Sequence, residues 1–235
     1  MDTIREQIIQ AVISKLAIIR TANGYNTEAG ATVERALQNL DPADLPGCVV
    51  WPKAETRDPD YGSGAMIMPL QVEGLQLHGT DNPSVVAEQL LGDLIEAMVG
   101  IVWSLAFTSG GTYEIQAGDA VEGVTSGASA LVQAVSLASG SWAGGDAAGT
   151  LTLRRVDGTF QAETLNVGSE IDVATIAGAP SGTDPVSATT GDLADSINYT
   201  GGGIDEYPER STQATGVVTN WEIRYRTLNG DPYHQ

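Results

Sequence analysis

The sequence predicts an α+β fold: a mixed or antiparallel sheet flanked by two helices, with a small all-β domain inserted into it. Three observations lead there. Two stretches near the N-terminus repeat apolar residues at helical spacing. A long run near the C-terminus, 212–227, alternates apolar and polar residues from Val217 onward, and its best partners lie far upstream at Cys48–Trp51 and Ala65–Leu77. Between these partners the composition changes sharply, from Ser104 to Asp192.

Residues 3–19 read as the first helix. Thr3 and Glu6 have the spacing of a capping box, and Ile4, Ile8, Val12 and Leu16 form a stripe widened by Ile9, Ile13 and Ile19. Asn23-Gly24 signals a turn, and a short strand is expected over Thr32–Leu37. Two prolines keep 41–46 out of a sheet interior, so this loop delivers the chain to Cys48–Trp51, an apolar strand suited to the centre of a sheet. The polar connection Lys53–Gly64 is longer than most hairpin loops. In Ala65–Leu77 the alternation is regular from Leu70; a bulge at Gly74 is expected to re-phase it, and Pro69 points to an edge strand or a bulge. Asn82 and Pro83 are the N-cap and first residue of a second helix, which carries Val86, Leu90, Leu91, Leu94, Ile95 and Met98 and ends near Gly100.

The expected frame is therefore discontinuous, residues 1–103 plus 193–235, with 104–192 inserted. The insert is rich in Gly, Ala, Ser and Thr, lacks Lys, and has Arg154-Arg155 as its basic pair. Short alternations at Ala130–Val135 and Thr150–Leu153 predict brief strands, and Trp142 and Phe160 would be wasted in a disordered linker. Gly178–Gly191 reads as a return linker. Gly110-Gly111 and Gly201-Gly202-Gly203 read as turns between strands. In the closing strand Val217, Thr219, Trp221, Ile223, Tyr225 and Thr227 share one face.

The chemistry expected is sparse. A net charge of -19 with 11 basic residues disfavours sequence-specific nucleic-acid binding and anionic membranes as partners. No secretory leader or membrane-spanning run is evident, so the chain is expected in a cytoplasm until it is assembled. The single cysteine, Cys48, excludes an internal disulfide and sits in an apolar run as a buried thiol. His78 and His234 have no partner at metal-ligand spacing. The carboxylates Glu55, Asp58 and Asp60, with Asp205 and Glu206, do not follow the order of a calcium loop and are read as solvated. No nucleophile elbow or phosphate-binding loop occurs. No enzyme activity, metal or cofactor is expected.

The order and texture of the frame resemble the bacteriophage tail terminator family, the lambda-type terminators and related minor tail proteins. The resemblance rests on the N-terminal amphipathic helix followed by ANGYNTEAG, the Leu45-Pro46 approach to Cys48–Trp51, the strand AMIMPLQVEG, the helix NPSVVAEQLLGDLIEAMVG, and the closing GVVTNWEIRYRT. The segment from AGDAVEGVTSGASALVQAV to GTFQAETL is similar to a β-module of phage structural proteins. A minimal terminator lacks this insert. The resemblance implies a virion protein at the head-proximal end of the tail. It would form a homohexameric ring that ends tube growth and meets the tail tube protein and the head-completion (stopper) protein. Candidate contact residues are Arg57, Asp58 and Tyr61 in the Lys53–Gly64 loop, and Tyr207, Glu209 and Arg210 before the closing strand. The rival readings are another tail protein, a tube subunit or head–tail connector, and a carbohydrate- or calcium-binding β-module on an α/β carrier.

Overall fold

The structure, a computed structural model, describes residues 1–36, 40, 42–58, 64–77, 79, 81–111, 113–205 and 214–235, without the side chains of Pro42 and Asp205. In chain order the elements begin with helix α1 (Ile4–Leu16) and strands β1 (Thr32–Arg35), β2 (Gly47–Pro52), β3 (Thr56–Arg57) and β4 (Ala65–Leu77), followed by helix α2 (Pro83–Val99). Strands β5 (Val102–Gly110), β6 (Ala120–Gly123), β7 (Ser129–Ser139), β8 (Ala147–Asp157), β9 (Ala162–Val167), β10 (Glu170–Ala177) and β11 (Ser181–Thr183) come next. Helix α3 (Pro185–Thr190) and strands β12 (Ser196–Asp205) and β13 (Ala214–Arg226) complete the chain. Two compact units result, one of residues 1–20, 25–100 and 185–235, the other of 21–24 and 101–184.

The first unit is a mixed sheet in the order β1-β2-β4-β13-β12, with β3 alongside β4. β1 and β2 run parallel; the other neighbours are antiparallel. Its core lies between one face of the sheet and the helices. Ile8, Ile9, Val12 and Leu16 of α1 and Leu90, Leu94 and Met98 of α2 join Val50, Met68, Leu70, Val72, Trp221 and Ile223 there. Complete burial of side chains of this size contributes roughly 1.5–3 kcal/mol each. Alternation decides which face of β13 is inward: Val217, Thr219, Trp221, Ile223 and Tyr225 are all buried. Thr219 is tolerated in that core because its hydroxyl donates to the Val72 carbonyl at 3.1 Å and accepts from the Trp221 indole at 2.9 Å.

Several expectations change here. α1 is capped by Thr3, whose Oγ1 accepts from the Glu6 N–H, but the Glu6 carboxylate completes no box; Arg35 and Gln10 hold it instead. β4 has no bulge at Gly74. Its register with β13 is continuous from Ala65↔Arg226 to Leu77↔Ala214. Gly74 serves to let α2 approach, since a Cβ there would lie 3.1 Å from Leu90 and Leu94. Pro69 is not on an edge either, because β4 lies between β2 and β13. The Pro69 carbonyl accepts from Lys53 N–H, so its nitrogen also faces the β2 side, beyond the end of β2 at Pro52, and no bond to β13 is lost. Gly201-Gly202-Gly203 is no turn: these residues pair with Asn220, Thr219 and Val218 inside β12, after an irregularity at Thr200. The expected return linker contains β11 and α3. Residue 37, at the end of the strand expected over Thr32–Leu37, and His78 lie outside the described residues.

The second unit is a closed barrel. The order β10-β9-β6-β7-β8-β5 returns on itself because β10 also pairs with β5, through Ile176↔Phe107 and Thr175↔Thr108. Closure satisfies the sheet edges that short Gly-rich strands would otherwise expose. Val121, Leu151, Leu153, Phe160, Leu165 and Ile176 fill the interior. Phe107 stacks on Trp142, with ring centroids 5.2 Å apart and planes 11° from parallel. Gly110 is not a turn but the last residue of β5, where a Cβ would come within 2.5 Å of the Trp142 ring.

Candidate functional site

β3 is only two residues long, yet its pairing with Met66 and Ile67 holds Thr56 and Arg57 against one end of the first sheet. Glu55, before β3, is half-buried; its Oε2 accepts the Tyr225 hydroxyl at 2.5 Å and lies 3.0 Å from Arg5 Nε. Burial, and then the Glu55 carboxylate beside it, push the Tyr225 hydroxyl well above the usual phenol range. Asp58, after β3, is held by its own N–H on the Ala65 carbonyl and turns inward, with 3 % exposure. Its Oδ2 accepts from Arg224 Nη1 at 3.1 Å, while Arg224 Nε meets Glu222 at 2.9 Å. Arg226 Nε lies 3.0 Å from Asp195.

These groups surround a cavity of about 210 Å³ lined by Asp58, Met66, Asp195, Ser196, Arg224 and Tyr225, among others. Each carboxylate named here has a guanidinium partner. The arrangement cross-braces Glu55 and Asp58 to β13. The expectation of solvated carboxylates at Glu55 and Asp58 is therefore corrected: both are engaged, because β13 places Arg224 and Tyr225 opposite them.

The candidate contact residues separate. Arg57 is exposed and has no partner among the described residues. Asp58 is committed to Arg224. Tyr61, Tyr207, Glu209 and Arg210 lie outside the described residues, as do Asp60 and Glu206. The sequence reading missed Arg224, Tyr225 and Arg5. Arg224 reads as an outward position of an alternating strand, and nothing in the local sequence links it to Asp58.

Two further carboxylates are placed inside their units. Asp93 on α2 is completely buried and accepts four hydrogen bonds, from Asn26 N, Asn26 Nδ2, Thr27 N and Thr27 Oγ1, at 2.8–3.2 Å. In the barrel, Glu163 accepts from Thr125 N, Ser126 N, Ser126 Oγ and Gln161 N at 2.6–3.1 Å. Burial acts to raise its pKa, but the Ser126, Gln161 and Thr125 donors outweigh it and hold the carboxyl at about 2. Cys48 is buried, which pushes its thiol up to about 12, out of reach of nucleophilic chemistry.

Among the described residues no group of three or more His, Cys, Asp or Glu is placed to hold a metal ion, and no helix is long and apolar enough to cross a membrane. Compared with protein-family models and with curated proteins, the chain matches none. The site must therefore be read from its own chemistry. It offers ion-paired rims, an exposed arginine and a sheet end.

Proposed function

We propose that this chain is a structural protein of a bacteriophage tail, forming a ring that ends the tail tube and offers a joining surface to the head-completion protein. One observation carries the reading: the segments on which the resemblance rests come together as one unit around one core. α1, β2 entered through Leu45-Pro46, β4, α2 and β13 all contribute to it, while the barrel is a separate closed module. Such a frame works by contact, and Arg5–Glu55 and Arg224–Asp58 brace residues 55 and 58 against it. The acidic charge of the chain favours protein partners over DNA. The barrel is an accessory to the ring, an added docking arm or decoration.

Electron microscopy of particles assembled without this gene product tests the proposal. Overlong tails without heads are the expected result. Tails of normal length would overturn it, and a complete loss of tails would move the chain to the tube itself.

A further inference from the structure

The first sheet ends on β12, and β12 has no strand on its outer side among the described residues. It runs for ten residues, whereas the other open ends, β1, β3 and β11, have four, two and three. Natural edges are normally blunted by Lys, Pro or brevity. β12 has none of these. Between Ser196 and Ile204 it carries no charged side chain, in a chain of net charge -19. Tyr199 and Ile204 are 37 % and 48 % exposed along it. The glycines 201–203 strip side chains from its centre, so another backbone can come close. The irregularity at Thr200 breaks the pairing only once, and the ladder to β13 resumes from Gly201 to Asp205.

A free row of N–H and C=O groups is complementary to one thing, an extended strand. We propose that the outer edge of β12 pairs with the β1 edge of a second copy of this chain. Three features favour a copy over a foreign peptide. β1 is the opposite end of the same sheet, so the contact continues one sheet from molecule to molecule. An end-to-opposite-end contact is heterologous, and it closes into a ring when its rotation closes. Finally, the acidic copies repel one another over most of their surface, and the uncharged edge is where that repulsion is least. This assignment rests on the ring reading above and supplies its subunit interface.

Two substitutions probe it without disturbing the fold. Gly203 has open space where a Cβ would stand, and Thr200 is exposed, whereas Gly202 would strike the Val218 carbonyl at 2.4 Å and is left alone. Light scattering after size-exclusion chromatography is expected to show the full chain as an assembly of three or more copies. The Thr200→Lys/Gly203→Lys variant should run as a monomer with an unchanged melting temperature. As a second arm, cysteines at Gly203→Cys and Glu34→Cys in one chain should give an oxidised ladder beyond the dimer. A monomeric parent, a lysine variant that still assembles, or cross-linking that stops at dimers would each overturn the proposal. Tail length separates the two claims: overlong tails with an unaffected lysine variant sink the interface alone, and edge-dependent rings with normal tails in the deletion sink the terminator reading alone.

Discussion

Asp93 shows how one residue can tie a loop to a helix, here beside the buried Tyr25 and Ala29. It stands on the buried side of α2, at a position where the apolar period would place another leucine, and its two oxygens satisfy the backbone and side chains of Asn26 and Thr27. Removing the carboxylate leaves buried donors without acceptors, and each such group costs roughly 1–3 kcal/mol. Asp93→Ala is therefore expected to lower the unfolding free energy by about 3 kcal/mol, read from urea titration at constant m. Asp93→Asn should recover only part, because its amide presents a donor to donors. A loss below about 0.5 kcal/mol for the alanine variant, the level of an ordinary surface change, would show that the loop is held by other means.

At the scale of elements, the turn from β6 to β7 is built around Glu163, which reaches it from β9. Gly123 is required there, since a Cβ would stand 2.5 Å from both Glu163 Oε1 and Ser126 Oγ. The folded carboxyl titrates at about 2, below its ordinary value of 4.5, so the group stabilises the folded barrel above that ordinary value. As pH falls through the window from about 4.5 to about 2 the contribution is lost, because the unfolded chain takes up its proton first. Thermal melts of the parent and of Glu163→Gln should therefore converge as pH drops from 5 toward 2; curves that stay parallel over about three pH units would show that Glu163 does not supply the difference. Elements of this kind divide sharply in legibility. Helices α1 and α2, β4 and β13 were readable because period and caps are local: Ile8, Val12, Leu94 and Trp221 each fall where 3.6 or 2 residues per repeat put them, whereas α3 lay in the expected linker. β12 was not, because Thr-Gly-Gly-Gly has turn chemistry, and only the ladder offered by β13 makes it a strand. The bracing of Asp58 by Arg224 and of Glu55 by Tyr225 was equally hidden, since those partners are 166 and 170 residues apart and each strand looks ordinary alone.

For the whole molecule, the consequential fact is how the barrel begins and ends. Its first strand residue, Val102, pairs with Thr183 of its last strand. Antiparallel partners have Cα atoms about 4.5–5.5 Å apart, so the chain leaves the frame and returns at one place, and two or three glycines can span the gap. The frame's own core, from Ile4 to Tyr225, includes no residue between 101 and 184. On the return side, Thr189 of α3 donates to the Met98 carbonyl at 2.8 Å, which ties the re-entering segment to the end of α2 without help from the barrel. The dependence runs the other way. Arg154 of the barrel is 2 % exposed and donates to the Asn23 carbonyl, so the barrel uses residues 21–24 to cover a buried guanidinium. Replacing 101–184 with a short glycine linker is thus expected to leave a frame that unfolds cooperatively, with its near-ultraviolet Trp221 signal intact. A loss of cooperative unfolding would mean that the barrel is part of the frame's folding unit, and the insertion would have to be read as one domain rather than as a module added to a complete fold.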